Sequence, residues 1–142
     1  CPHRRPDRVA ARALTRGALA LFYGVAGLFH LAMPAPFLTI MPPGVPAPEL
    51  VVQVTGWAEL AGAAAMLQGR SPALRRAGGW GLAAYALCVW PANINHMLMD
   101  LSHADGGRNL AYHVPRMLAQ PVLIWAALWA GGVTDWPWRR RR

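Results

Sequence analysis

The chain has 142 residues, of which 55% are hydrophobic and only 14% are charged, a balance that disfavours an ordinary soluble domain. Its net charge of +8 comes from 14 arginines with no lysine, but these arginines flank apolar runs instead of forming a basic surface, which disfavours nucleic-acid binding. Cys1 and Cys88 form no CxxC pair, so neither a disulfide framework nor a thiol redox motif is indicated.

Four apolar segments follow one another along the chain: 13–33, 50–67, 77–97 and 114–133. A helix of about 20 residues crosses the ~30 Å of hydrocarbon in a bilayer. The segments lack the polar faces that the helices of a soluble bundle need. The sequence therefore predicts an all-α membrane protein, a four-transmembrane-helix bundle over residues 13–133.

The connections between these segments predict the orientation. Twelve of the 14 arginines lie around the start of the first segment, between the second and third, or after the fourth. The positive-inside rule makes this side cytoplasmic. A basic segment, 1–12, and an arginine-rich tail, 134–142, are then both cytoplasmic. The stretch 34–49 holds six of the 13 prolines and is predicted to be an ordered cap on the outer face.

Polar side chains inside the apolar segments fall in the predicted outer half of the membrane. A charge at the bilayer centre costs about 2.5–3.5 kcal/mol on insertion scales, so Glu59 is expected to face the bundle interior, neutral or paired with Arg116. Glu59 is also the candidate proton donor or acceptor, because burial shifts carboxyl groups toward useful proton affinities. We predict one polar pocket, open to the outer surface, that is lined by His30, Glu59, Asn93, His96, Arg116 and Gln120.

Simpler roles compete with this interpretation. Asn95 and His96 are close enough to the interface to face solvent, and His30 can cap a helix end. His103 and His113 are expected in an exposed loop, and Tyr23 is expected to serve packing. A metal site built from His30, Glu59 and His96 lacks any recognised ligand spacing, so no metal is predicted.

Four ordered motifs resemble those of the DoxX-like family of small bacterial membrane proteins. They are MPPGVPAP at 41–48, GWAELAG at 56–62, PAN at 91–93 and RMLAQ at 116–120. The last departs from the family's R-x-P-x-Q pattern. The resemblance covers about residues 20–130 and implies a four-helix membrane fold. It also implies kinship with a membrane subunit of thiosulfate:quinone oxidoreductase and with proteins of redox-stress complexes.

Two functional hypotheses remain open. The first is a redox-linked membrane subunit whose pocket binds a quinone headgroup, with His30, Asn93, Arg116 or Gln120 donating to the quinone oxygens. The sequence contains no CxxCH or Gly-rich dinucleotide loop, so electrons would come from a redox protein partner. The second is a non-enzymatic scaffold that assembles another complex or a homo-oligomer. A transporter would need polar residues through the whole membrane, and the inner half lacks them.

Overall fold

A computed structural model describes residues 6–103 and 107–137. Within these ranges the chain forms five helices and no strand. The helices are α1 (Pro6–Ala32), α2 (Ala35–Thr39), α3 (Pro48–Leu67), α4 (Pro72–Ser102) and α5 (Leu110–Gly131). The all-α prediction is thus confirmed. The predicted tail arginines, Arg139–Arg142, and Arg4 and Arg5 of the basic segment lie outside the described residues.

The helices extend beyond the apolar segments because backbone hydrogen bonding does not end where the side chains become polar. Residues 6–12 of the basic segment form the start of α1 instead of a separate unit. The side chain of Ser71 accepts a hydrogen bond from the Leu74 N–H (3.2 Å) at the start of α4. The Asn109 side chain does the same for Ala111 N–H (3.0 Å) at the start of α5. Side chains of this kind satisfy the free N–H groups of a first helical turn.

Small residues bring the four long helices together in antiparallel pairs. A Cβ atom at Gly27 of α1 would lie 2.8 Å from the Gly56 carbonyl oxygen of α3, and one at Gly79 of α4 would lie 2.9 Å from the Ala127 carbonyl oxygen of α5. A third pair joins α3 to α4, and α1 also contacts α5. The four long helices therefore close into a ring in the order α1, α3, α4, α5.

Large apolar side chains lie on the outside of this ring, whereas its interior holds many small ones. Five alanines at 20, 83, 86, 127 and 130 are at most 5% exposed. Exposed large residues occur on all four long helices; examples are Leu21, Leu28, Val54, Trp57, Trp80, Leu87, Leu118 and Val122.

In the part of the chain that the structure describes, two helices are long and apolar enough to cross a membrane, Asp7–Ala32 and Pro48–Leu67. The corresponding parts of α4 and α5 contain Asn93, Asn95, His96, Arg116 and Gln120, whose polar side chains lower the mean hydropathy. Length and composition therefore support membrane spanning for α1 and α3, a test that core helices of soluble proteins can also pass.

Candidate functional site

The six residues predicted to line one pocket occupy separate places in the bundle. His30 and Glu59 contact each other between α1 and α3. Arg116 of α5 contacts Asn93 and His96 of α4. Gln120 is buried in α5, and its Oε1 has no hydrogen-bond partner in the described part of the chain.

The expected pairing of Glu59 with Arg116 is therefore corrected. Across the described ranges, the ion-pair partner of Glu59 is His30, because α1 and not α5 makes the close glycine contact with α3. The two polar groups are called here the His30 pair (His30 and Glu59) and the Arg116 cluster (Asn93, His96, Asp100, His113 and Arg116).

The His30 pair is a buried imidazole–carboxyl contact. His30 Nδ1 lies 2.7 Å from Glu59 Oε2 and 3.0 Å from the carbonyl oxygen of Ala26, one turn earlier in α1. His30 is 9% exposed and Glu59 2%. Oε2 has no well-directed hydrogen bond despite the short distance, so Nδ1 is shared between two acceptors and satisfies the carboxyl only in part.

Glycines make room for this pair in a reciprocal way. A Cβ atom at Gly27 of α1 would lie 3.1 Å from the Glu59 Cβ of α3, and a Cβ atom at Gly56 of α3 would lie 3.0 Å from the His30 Cβ of α1. Each helix thus offers a glycine to the polar residue of the other. The glycines are the signal in the sequence for this contact between α1 and α3. Each lies three residues before the polar residue on its own helix.

Aromatic rings surround the His30 pair. Phe37 of α2 stacks on the His30 imidazole with ring centroids 3.7 Å apart and an interplanar angle of 23°. The rings of Tyr23 and Tyr85 meet edge to face at 5.8 Å, and both tyrosines interact electrostatically with Glu59. The Tyr23 hydroxyl is buried without a hydrogen-bond partner in the described ranges. Tyr23 lies seven residues, or two turns, before His30 on the same face of α1. It is buried, and this spacing brings its ring next to the His30 pair.

In the Arg116 cluster, the arginine determines which nitrogen of His96 carries the proton. Arg116 Nη2 donates to Asn93 Oδ1 at 2.5 Å, and Nη1 lies 3.0 Å from His96 Nδ1. A guanidinium can only donate, so Nδ1 accepts. Neutral His96 then carries its proton on Nε2, which lies 3.4 Å from Asp100 Oδ2.

Asp100 joins this cluster to the start of α5. Its Oδ2 lies 3.0 Å from His113 Nε2 and accepts a hydrogen bond from the Arg108 backbone N–H at 3.2 Å. Desolvation of Asp100 opposes ionisation, yet the hydrogen bonds from His113 and Arg108 outweigh it and lower the pKa of this carboxyl below its ordinary value. The expectation of an exposed loop histidine at 113 was wrong: α5 starts at Leu110, and His113 is fully buried.

Asn95 fastens the proline-rich connection to the bundle. Its Nδ2 donates to the carbonyl oxygen of Ile40 at 3.0 Å, directly after α2. The solvent-facing role expected for Asn95 is therefore replaced by a structural one, because the connection folds back over the end of α4.

A cavity lies elsewhere in the bundle than the predicted pocket. An apolar groove of about 400 Å³ runs between residues 17–28 of α1 and 60–67 of α3, and none of the six predicted residues lines it. In the ranges 6–103 and 107–137, no group of three or more His, Cys, Asp or Glu side chains has the arrangement of a metal site.

Together these features define a small all-helical protein with buried polar contacts between apolar helices. The profile of a family described as a domain of unknown function (DUF8561) matches residues 19–131. The chain belongs to this family. Comparison with curated proteins and with solved structures found no match.

The family match overturns the resemblance to the DoxX-like family. The motifs behind that resemblance consist of prolines, glycines and single polar residues. Such residues are needed wherever helices begin, end or pack closely, so they identify a manner of packing and not one family. The implied kinship with thiosulfate:quinone oxidoreductase falls with it.

Proposed function

We propose that the chain is a multi-pass protein of the bacterial inner membrane with four spans, α1, α3, α4 and α5, and with both termini cytoplasmic. The support is the exposure of large apolar residues on α4 and α5 as well: Trp80, Leu87, Leu118 and Val122 are 57–64% exposed. In α1 and α3, only 28% and 39% of the most apolar stretch is buried, less than a soluble core helix would bury. Reporter fusions after residue 40 and after the C-terminus test this topology, which requires opposite sides.

Within this bundle, we propose that the His30 pair binds the headgroup of a quinone and that the protein acts as a redox-linked membrane subunit. The carrying observation is a 2%-exposed carboxyl held 2.7 Å from an imidazole. Ionisable groups inside a membrane are costly and commonly functional. A carboxyl and an imidazole can exchange protons with a quinone, while a redox protein partner supplies the electrons.

A thermal-shift titration of the detergent-purified protein with a short-chain quinone tests this proposal. Glu59→Gln should abolish saturable stabilisation, because it removes the carboxylate of the His30 pair. Arg116→Gln is the matched control: it makes a similar change in the other polar group and should leave quinone binding intact. Loss of binding in both variants would indicate that the His30 pair and the Arg116 cluster line one shared pocket.

The alternative is a non-enzymatic scaffold for another complex or for a homo-oligomer. The Arg116 cluster favours it, because Arg116, Asn93, His96 and Asp100 hydrogen-bond to one another or to His113 within the chain, although His113 Nδ1 is buried without a partner among the described residues. Polar contacts between membrane helices contribute about 0.6 kcal/mol each on average, enough to hold helix ends together. If the quinone stabilises nothing while both variants melt earlier than the wild type, this alternative replaces quinone binding.

A further inference from the structure

The His30 imidazole offers one unused polar atom. Nδ1 faces two oxygens, of Glu59 and Ala26, so a neutral imidazole keeps its proton on Nδ1. Nε2 then carries the lone pair. Among the described residues no hydrogen-bond donor contacts Nε2, and 9% of His30 remains exposed. The site therefore presents an acceptor to an incoming ligand.

Phe37 covers one face of this imidazole. The two rings stack nearly parallel, with centroids 3.7 Å apart, and the stack fixes the plane in which the Nε2 lone pair lies. Phe37 lies on α2, a helix of five residues with no buried residue. Near the end of this segment, Asn95 donates a hydrogen bond to the carbonyl oxygen of Ile40. Phe37 therefore stays against the ring face, and the Nε2 edge is left to a ligand that lies in the plane of the imidazole.

We infer that the His30 pair selects the reduced, hydroquinone form of its ligand, whose O–H meets Nε2 in the plane of the imidazole while Phe37 covers the ring face. This inference rests on the proposed function. A hydroquinone O–H donates to Nε2, whereas the carbonyl oxygen of a quinone would meet a lone pair at the same atom.

The same geometry provides a proton relay. As the hydroquinone O–H bond breaks, an N–H bond forms at His30 Nε2. The Nδ1–H bond breaks in turn, and an O–H bond forms at Glu59 Oε2. No electron moves in this step: the ligand becomes a monoanion, Glu59 becomes neutral, and the imidazole ends neutral with its proton on Nε2.

The closing experiment compares both redox forms of one short-chain quinone on the wild-type protein in detergent, with the hydroquinone titrated anaerobically. One hydrogen bond gained and one repulsion avoided should make the hydroquinone bind about tenfold more tightly. Equal affinities, or tighter binding of the quinone, would overturn the inference and leave the proposed function standing. Binding of neither form would overturn both.

Two variants test the parts of the site. Phe37→Leu removes the ring that covers and orients the imidazole and should weaken hydroquinone binding about fivefold, the change that corresponds to an aromatic stack of about 1 kcal/mol. Phe29→Leu, a ring that is 50% exposed on α1, is the control and should change nothing. His30→Gln presents both a donor and an acceptor, so the preference for hydroquinone should fall to about one. A Phe37 variant with wild-type affinity would refute the orienting role of the stack, and a retained preference in the His30 variant would refute selection by Nε2.

Discussion

Replacement of Gly27 by alanine should destabilise the bundle although alanine is the better helix former. The added methyl would lie 2.8 Å from the Gly56 carbonyl oxygen and 3.0 Å from Leu60 Cγ. A backbone oxygen cannot turn aside as a flexible side chain can, so α1 and α3 must move apart. Overpacking of this kind costs about 1–3 kcal/mol, while Gly→Ala gains about 1 kcal/mol in helix propensity. The net expectation is a loss of about 0–2 kcal/mol, centred near 1 kcal/mol.

Gly24→Ala is the matched control, because it makes the same chemical change about one turn earlier in α1. The nearest atom to the new methyl would be Ala63 Cβ at 4.0 Å, an ordinary contact. This variant keeps the gain in helix propensity and should be neutral or stabilising by up to about 1 kcal/mol. The two variants should therefore differ by about 2 kcal/mol.

Unfolding of the detergent-purified variants with sodium dodecyl sulfate, followed by circular dichroism, measures this difference. If Gly27→Ala proves as stable as Gly24→Ala, the backbones of α1 and α3 are not in close contact at this level. The reciprocal glycine packing around the His30 pair would then be wrong as well.

Three further changes probe the outer end of the bundle. Asp100→Asn should lower the melting temperature at pH 7 and make it decline less as the pH falls. Hydrogen bonding lowers the pKa of Asp100, so the carboxylate stabilises the fold above the ordinary pKa of 3.8. This stabilisation is lost as the pH falls through the lowered pKa of the folded protein. Melting curves from pH 7 to 3 decide this, and equal slopes for both proteins would contradict it. Asn95→Ala should speed hydrogen exchange in residues 34–47, because the link to Ile40 is lost; unchanged exchange would show that the loop holds by itself. Ala47→Gly should stabilise the fold by up to about 1 kcal/mol in thermal melts. Ala47 has a φ of +47°, a backbone conformation in which a Cβ atom is strained and glycine is not. A lower melting temperature for this variant would refute that strain.

The helices could be predicted from sequence because each long apolar run leaves a local signal. Their bounds were less accurate: α4 runs from Pro72 to Ser102, whereas its apolar segment covers only 77–97. Ser71 begins the helix before hydropathy rises, and residues 98–102, which include Asp100, continue it afterwards. Hydropathy reports where side chains prefer lipid, while capping and backbone hydrogen bonding determine where a helix starts and ends.

The polar contacts were harder to predict than the helices. Glu59 was correctly singled out as buried, but its partner depends on the rotation of α1 and α3 about their axes. One close glycine contact fixes that rotation, and a shift of one residue would bring another side chain to Glu59. The burial of His113 was missed for a related reason, since loop composition concealed the first turn of α5.

The length of α4 gives the molecule an uneven outer rim. A Cβ atom at Gly78 would meet Ala65 near the end of α3, so the two helices are nearly level there. Since α4 has 31 residues and α3 has 20, the far end of α4 projects roughly 10 Å beyond the first turn of α3. In the proposed orientation, the outer ends of α4 and α5 project farther toward water than the other helices, and α2 lies beside them at a lower level. Under the proposed function, a redox protein partner on the outer side would contact the projecting ends of α4 and α5 first, beside Asp100, and would reach α2 only from the side.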